Sequence, residues 1–297
     1  MTITLTSLLL RFTGRSSSSS LRIRTYMAST DASPQPTPER TEELREALTD
    51  IRQRVAAAAS SPSHTPTLVA VSKYKPASDI LACYKHSQLD FGENYLQELV
   101  DKASLLPREI RWHFIGTLQS NKAKALASIP NLYCVQTLAS TKAASALNKA
   151  IPAERTSPLH VLLQVNTSQE DNKSGLPPLS PNIDVASSEL SQLASYILKE
   201  CPKLRLEGLM TIGSLEQSLS ASETEKNADF ERLRETREVL KEYLVKEHAS
   251  AFWGHEVTGE LVLSMGMSSD FEAALRAESD IVRVGAGVFG LRPEKVL

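Results

Sequence analysis

The sequence predicts an α/β protein, a closed (β/α)8 barrel of the TIM type preceded by an extra N-terminal helix. Short apolar runs alternate with helical segments along the chain, and eight of these runs are found. Strands that alternate with helices form right-handed βαβ units in a parallel sheet. Eight such strands in a chain of about this length can close into a barrel. A doubly wound open sheet shows the same alternation and is the alternative fold.

The extra helix follows a polar, proline-containing linker at residues 28–36. Thr37 can cap the helix and Pro38 can take its first position, where proline is tolerated. Apolar residues at helical spacing then predict one face packed on the barrel. These residues are Leu44, Leu48, Ile51 and Val55.

Apolar runs bounded by turn residues define the strands, and helical periodicity defines the segments between them. The predicted strands are Leu68–Lys73, Leu89–Asn94, Arg111–Gly116, Leu132–Leu138, Leu159–Asn166, Leu204–Gly213, Glu260–Met267 and Ile281–Phe289. The predicted helices are Ala77–His86, Tyr95–Leu105, Asn121–Ser128, Ser140–Ile151, Glu189–Glu200, Ala228–Lys246 and Ser269–Glu278.

Composition excludes several classes of protein. The 297 residues carry a net charge of −2, so a broad basic surface for nucleic acid is not expected. The three cysteines are far apart and form neither a zinc pattern nor a disulfide framework, and we expect no metal. No apolar run is long enough to span a bilayer, so no membrane partner is expected.

Residues 1–36 differ from the rest and are predicted to be a disordered leader and linker, with a single domain over residues 37–297. The first 30 residues contain four arginines, a serine run and no acidic residue. Such a composition resembles a mitochondrial transit peptide. A disordered tail, or initiation at Met27, is the alternative. We therefore expect a cytoplasmic or mitochondrial protein, or one found in both.

Lys73 ends the first predicted strand. Parallel barrel strands deliver functional groups at their C-terminal ends, which converge on one mouth. A partly desolvated lysine there loses its proton more easily and can attack a carbonyl to form a Schiff base. An ordinary surface lysine is the alternative interpretation of Lys73 by itself.

The last two strand ends predict an anion site. Met267 and Ser268 precede a predicted helix that Ser268 or Ser269 can cap, and backbone N–H groups there can bind an anion. Gly285 and Ala286 lie in the eighth predicted strand and let a second backbone segment approach closely. Phosphate commonly binds near the loops after strands seven and eight of such barrels. Helix capping and a tight turn are the simpler explanations of these residues.

Three further polar residues lie in or at the end of strands. Arg283 lies within an apolar strand, where a charge needs a partner or a ligand. His113 lies between apolar residues of the third strand, and Asn94 ends the second. A structural ion pair, a core histidine and a strand-ending hydrogen bond are the respective alternatives.

In these residues and the stretches around them, the chain resembles the pyridoxal phosphate homeostasis protein family, which is related to the N-terminal barrel of alanine racemase. The resemblance extends over about residues 68–292. The matching stretches are Ala70–Lys73, Phe91–Tyr95, Trp112–Gly116, Leu118–Lys122, Glu207–Met210, Leu263–Ser268 and Val282–Gly285.

The resemblance implies a barrel of the alanine racemase type that holds pyridoxal 5'-phosphate (PLP) as a covalent aldimine on Lys73. Ser268 and the backbone at Gly285 and Ala286 match phosphate-binding positions. Arg283 matches the arginine that faces the pyridine nitrogen. The other implied cofactor-binding residues are Asn94, Met267 and His113, of which His113 matches a family motif without a defined role.

The implied function is reversible binding and delivery of PLP in intracellular PLP homeostasis, without robust catalysis. A permanent cation beside the pyridine nitrogen opposes its protonation and weakens the ring as an electron sink. A PLP-dependent racemase is the first alternative, which needs an acid or base opposite Lys73. Tyr74 and His113 are the only nearby candidates, and we expect no second domain after the last strand to supply another. A Schiff-base aldolase is the second alternative.

The sequence departs from the family at Ala286, where a hydroxyl residue is usual, and at residues 168–188 and 247–259, which look longer than in compact members. The leader is also additional. The expected partners are PLP and PLP-dependent apoenzymes that could receive it, and the expected state is a monomer or weak homodimer.

Overall fold

Eight parallel strands close into a barrel in the order in which they occur along the chain. The computed structural model describes residues 35–61, 65–214, 216–217 and 227–291. Strand β1 pairs with both β2 and β8, which confirms the predicted barrel and excludes the open sheet. The strands are β1 (Thr67–Val71), β2 (Asp90–Glu93), β3 (Arg111–Phe114), β4 (Leu132–Leu138), β5 (Leu159–Gln164), β6 (Leu204–Met210), β7 (Val262–Ser264) and β8 (Ile281–Val284).

Helices surround the barrel, and the predicted positions are confirmed to within a few residues, except near the last two strands. They are α1 (Pro38–Ala58), α2 (Ala77–Lys85), α3 (Leu96–Leu105), α4 (Ala123–Ala127), α5 (Thr141–Ala150), α6 (Glu189–Glu200), α7 (Ala228–Glu247), α8 (Phe271–Arg276) and α9 (Ala286–Phe289). Short 3-10 turns cover Ser120–Lys122 and Val185–Ser187.

The extra helix α1 begins as the sequence predicts. Thr37 caps it by accepting from the Arg40 backbone N–H at 3.2 Å, and Pro38 is its first residue. Its apolar face packs against α2, α8 and α9. Because α9 is only four residues long, α1 covers barrel surface that a full eighth helix would cover. A Cβ at Gly287 would lie 2.8 Å from Ile51 Cδ1, so a glycine there permits this close packing.

Two local predictions near the C-terminus are wrong. The eighth strand ends at Val284 rather than Phe289, because the chain turns into the short helix α9. The N-cap position of helix α8 is Asp270 rather than Ser268 or Ser269, and the Asp270 side chain makes no capping hydrogen bond to the helix. The Ser268 hydroxyl instead accepts from the Gly285 N–H at 3.1 Å, so it ties the two loops together.

The barrel separates two apolar layers. A large outer cluster fills the space between the strands and helices, and a small inner cluster lies inside the barrel around Val69, Leu162 and Met210. Polar side chains also lie inside, among them His113, Gln136, Ser264 and Arg283, and all four are buried. A buried polar group must be hydrogen-bonded, so these four residues require partners within the barrel.

The predicted leader and targeting segment fall almost entirely in residues 1–34, which lie outside the described residues. Among the described helices, none has both the length and the hydropathy that crossing a membrane requires.

Candidate ligand-binding site at the strand C-termini

A cavity of about 650 Å3 opens at the C-terminal end of the strands. This volume is in the range of sites for small molecules and cofactors. Seven of the eight predicted site residues line the cavity, because the parallel strands bring their ends together. The lining residues are Val71, Lys73, Lys75, Asn94, Ile115, Met210, Ile212, Met267, Ser268, Arg283, Gly285, Ala286, Gly290 and Leu291.

Lys73 lies in a tight turn directly after β1, and its side chain is half-buried. The next residue, Tyr74, has a φ of 63°. This left-handed conformation is unfavourable for a bulky side chain, so the surrounding structure must hold it. We call residues 72–74 the lysine turn.

A buried ammonium holds the lysine turn in place. Lys102 Nζ donates to Ser72 O at 2.8 Å and to Oε1 of both Glu93 and Glu98 at 2.6 Å. Glu98 Oε1 also accepts from the Tyr74 N–H at 2.6 Å, and Glu93 Oε1 accepts from the Ser72 hydroxyl at 2.6 Å. Three charged side chains therefore hold the backbone on both sides of Lys73. We call Lys102, Glu93 and Glu98 the Lys102 cluster.

Glu93 is the most buried member of the Lys102 cluster, with no exposed side-chain surface. Burial raises the pKa of Glu93, and the charge and hydrogen bond of Lys102 partly oppose the shift. Its Oε2 atom is buried and has no hydrogen-bond partner among the described residues. Lys102 is therefore the main group that stabilises the buried negative charge of Glu93.

Asn94 contributes an amide to the cavity wall. Its Oδ1 atom is buried without a hydrogen-bond partner among the described residues. The backbone of Asn94 is tightly covered, since a Cβ at Gly116 would come within 1.9 Å of its carbonyl oxygen. An unsatisfied buried polar atom in a cavity wall is a candidate ligand contact.

The loops after β7 and β8 meet at the cavity. The hydrogen bond between the Ser268 hydroxyl and Gly285 N–H joins them, and Asp270 Oδ1 accepts from the Met267 N–H at 2.6 Å. Gly285 packs tightly on the end of β1, because a Cβ there would lie 3.3 Å from Val71 O. The predicted anion-binding residues are therefore next to one another, and Ala286 is exposed beside them.

Arg283 is a buried cation in the cavity wall. Its Nη1 donates to the Ser264 hydroxyl at 2.6 Å and its Nη2 to Thr211 O at 2.7 Å. Burial lowers the pKa of Arg283 to about 10, and the negative charge of Asp270 opposes this shift. The two hydrogen bonds fix the guanidinium in one orientation at the base of the cavity.

His113 is not among the residues that line this cavity. It lies inside the barrel with 1 % exposure, where Nε2 is 3.0 Å from Asp90 Oδ1 and Nδ1 is 3.0 Å from Gln136 Nε2. It borders a second cavity of about 600 Å3, which is also lined by residues at the start of strands such as Thr67 and Arg111. The structure therefore places His113 outside the wall of the cavity in which the sequence predicts its contact with a cofactor.

The sequence did not single out several other lining residues, of which Lys75 is the most polar. Its ammonium donates to Phe289 O at 3.0 Å and Leu291 O at 2.9 Å. Burial, and then the charge of Arg40, lowers the pKa of Lys75. Its position two residues after Lys73 was the one available signal, because both residues follow the same strand.

Comparison with known proteins decides the family. The sequence profile described as alanine racemase, N-terminal domain, matches residues 47–293. The pyridoxal phosphate homeostasis protein of Schizosaccharomyces pombe is 42 % identical over 226 residues, 76 % of this chain and 84 % of that protein. The human pyridoxal phosphate homeostasis protein is 40 % identical over 259 residues, 83 % of this chain and 86 % of that protein. The chain belongs to the pyridoxal phosphate homeostasis protein family.

A solved structure agrees with this assignment. PipY of Synechococcus elongatus with PLP bound has a TM-score of 0.61 and 25 % identity, and the match covers 83 % of this chain and all of PipY (100 %). The resemblance to the pyridoxal phosphate homeostasis protein family that the sequence motifs indicate is therefore confirmed, together with the alanine racemase type of barrel.

Proposed function

We propose that this chain binds PLP reversibly in the cavity, with covalent attachment at Lys73, and stores and delivers it within the cell. The observation that carries this proposal is one cavity whose wall includes Lys73, Arg283 and the paired loops at Ser268 and Gly285. An amine, a cation and an anion-binding backbone are the groups that an aldehyde, a pyridine ring and a phosphate require. The names of the relatives and the PLP-bound neighbour support the same ligand.

The residues present fit this cofactor. The volume of about 650 Å3 accommodates a small phosphorylated ring. Asn94 Oδ1 is a buried acceptor that lacks a partner among the described residues and can bond a ligand donor. The close approach of Gly285 to β1 leaves the loop backbone beside the Ser268 hydroxyl, which suits a phosphate.

Each group has a distinct role in this proposal. Lys73 Nζ provides the attachment point, Ser268 with the backbone at Gly285 and Ala286 binds the phosphate, and Arg283 faces the ring nitrogen. When bound, PLP supplies an aldehyde that condenses with amines and a ring that can withdraw electrons. A guanidinium can only donate hydrogen bonds, so Arg283 keeps the ring nitrogen unprotonated and limits its electron-withdrawing capacity.

This arrangement favours storage over racemisation. A racemase needs a second acid or base facing Lys73, and the two sequence candidates do not line the cavity. Tyr74 is 51 % exposed and its ring packs 5.1 Å from that of Tyr95, while His113 lies inside the barrel. We infer that transfer of PLP to recipient apoenzymes, rather than turnover of amino acids, is the biological use of the site. Residence in the cytoplasm or mitochondrion, and a monomeric or weakly dimeric state, remain our predictions.

The test is a titration of the purified protein with PLP followed by borohydride reduction and peptide mass spectrometry. We expect an absorbance band at roughly 420 nm, which is general for PLP joined to a lysine, and a pyridoxyl group on Lys73. Lys73→Ala should lose the band while retaining its circular dichroism spectrum. Lys75→Met is the matched control, because it removes the other cavity amine and should leave the label on Lys73.

Two results would count against the proposal. A protein that stays colourless with excess PLP and carries no label after reduction does not bind it covalently. Rapid racemisation across a panel of amino acids would instead favour an enzyme over a carrier.

A further inference from the structure

Side-chain hydrogen bonds cross the barrel interior in one unbroken chain from Arg283 to Asp90. All of its members are buried, with at most 6 % exposure. We call these residues the interior chain. Its bonds join Arg283 Nη1 to Ser264 Oγ (2.6 Å), Ser264 Oγ to Gln136 Oε1 (2.7 Å), Gln136 Nε2 to His113 Nδ1 (3.0 Å) and His113 Nε2 to Asp90 Oδ1 (3.0 Å).

The bonds of the interior chain run in one direction, with each member donating to the next. The Ser264 hydroxyl accepts from Arg283, because a guanidinium only donates, and it donates its own hydrogen to Gln136 Oε1. The amide nitrogen of Gln136 then donates to His113 Nδ1, which must be unprotonated. His113 therefore carries its hydrogen on Nε2 and donates it to the carboxylate of Asp90.

The Asp90 end of the interior chain is anchored by another cation. Arg111 Nε donates to Asp90 Oδ1 at 2.8 Å, and its guanidinium lies over the ring of Tyr133. Burial by itself would raise the pKa of Asp90, but the hydrogen bonds from His113 and Arg111 and the charge of Arg111 lower it. Asp90 is therefore a carboxylate, which can only accept, and the interior chain has a donor at one end and an acceptor at the other.

We infer that His113, Gln136 and Ser264 are positioning residues for Arg283, and that this role requires neutral His113 with its hydrogen on Nε2. A proton on His113 Nδ1 would force the side-chain amide of Gln136 to rotate by half a turn, so that its oxygen faces His113. Its nitrogen would then face Ser264 Oγ, and the serine hydrogen would lose its acceptor. The Ser264 hydroxyl that accepts from the guanidinium would then no longer be held by a bond of its own to Gln136. The consequence for the ligand rests on the proposed function, whereas the tautomer does not.

The first experiment tests the interior chain without any ligand. Nitrogen-15 NMR of protein with labelled histidine, with the His113 signal assigned through His113→Gln, should show hydrogen on Nε2 alone at neutral pH. Gln136→Glu replaces the donor toward Nδ1 by an acceptor of the same shape. His113 should then gain a second proton. Hydrogen on Nδ1 in the unmodified protein, or an unchanged ring in Gln136→Glu, would overturn the inference.

The second experiment tests the connection to the cavity. Ser264→Ala removes the link to Arg283 and should weaken PLP binding about tenfold, the size expected for disturbing one charged hydrogen bond. It should also shift the absorbance of the bound cofactor. Ser191→Ala, a buried serine on α6, is the matched control and should change neither.

The outcomes separate the two proposals. If the unmodified protein binds PLP and Ser264→Ala binds it with the same affinity and spectrum, the positioning role is wrong and the proposed function stands. If the unmodified protein does not bind PLP, the proposed function fails, and the tautomer measured by NMR is unaffected.

Discussion

Replacing Lys102 with methionine tests how the lysine turn is held. The change keeps the length of the side chain but removes the ammonium that bonds Ser72 O, Glu93 and Glu98. The negative charge of Glu93 would then remain buried, without its neutralising cation and without contact with water. Removing one partner of a buried ion pair costs about 3–5 kcal/mol. For a domain of this size, such a loss lowers the melting temperature by roughly 6–20 °C.

The pH dependence of this loss has a definite sign. Burial already raises the pKa of Glu93, and removal of Lys102 should raise it further. A carboxyl group whose folded pKa lies above its unfolded value stabilises the fold below the unfolded pKa. That contribution is lost as the pH rises through the folded pKa. Lys102→Met should therefore be least stable at neutral and higher pH and regain stability as the medium is acidified.

Urea unfolding followed by circular dichroism, repeated across this pH range, measures the effect. Adding Glu93→Gln to Lys102→Met should recover part of the loss, because a neutral amide replaces the isolated carboxylate. Lys124→Met, at an exposed position of α4, should change the stability by no more than about 0.5 kcal/mol. A wild-type denaturation midpoint for Lys102→Met, or a loss that neither acid nor the second substitution relieves, would refute the reasoning.

Three other predictions follow from single sites. Ala286→Ser restores a hydroxyl beside the proposed phosphate position and should tighten PLP binding by roughly 10- to 100-fold in a spectroscopic titration; unchanged affinity would place the phosphate elsewhere. Gly208→Ala would bring a Cβ within 2.0 Å of Val262 O, so thermal unfolding should show a large loss of stability from broken β6–β7 pairing. Burial raises the pKa of Cys83 to about 12 and that of Cys134 well above its usual value, so maleimide should label neither thiol until urea unfolds the protein.

The barrel and most of the cavity could be predicted because they depend on periodicity. Strands that alternate with helices form a parallel barrel. The C-terminal ends of its strands lie at one face, so residues such as Lys73 and Asn94 come together there. The last strand was predicted too long because an apolar run, such as the one after Gly285, does not distinguish a strand from a short helix.

The partners of individual polar side chains could not be predicted in the same way. A motif marks His113 without saying that its bonds are to Asp90 and Gln136, which are far from it in sequence. Lys102 lies on an amphipathic helix, where a lysine normally faces water, and only the three-dimensional fold places it under the lysine turn. Contacts of this kind depend on which strands become neighbours and how far each side chain reaches.

Hydrogen bonds among the protein's own groups hold the polar residues around the cavity in place. Arg283 is held by Ser264 and Thr211, and Lys75 by carbonyl groups of the last described segment. The loop groups of Ser268 and Gly285 bond each other. A preorganised site loses little free energy to ordering when a ligand binds. Such a site can also release its ligand without local unfolding, and the function proposed above, storage and delivery of PLP, needs both properties.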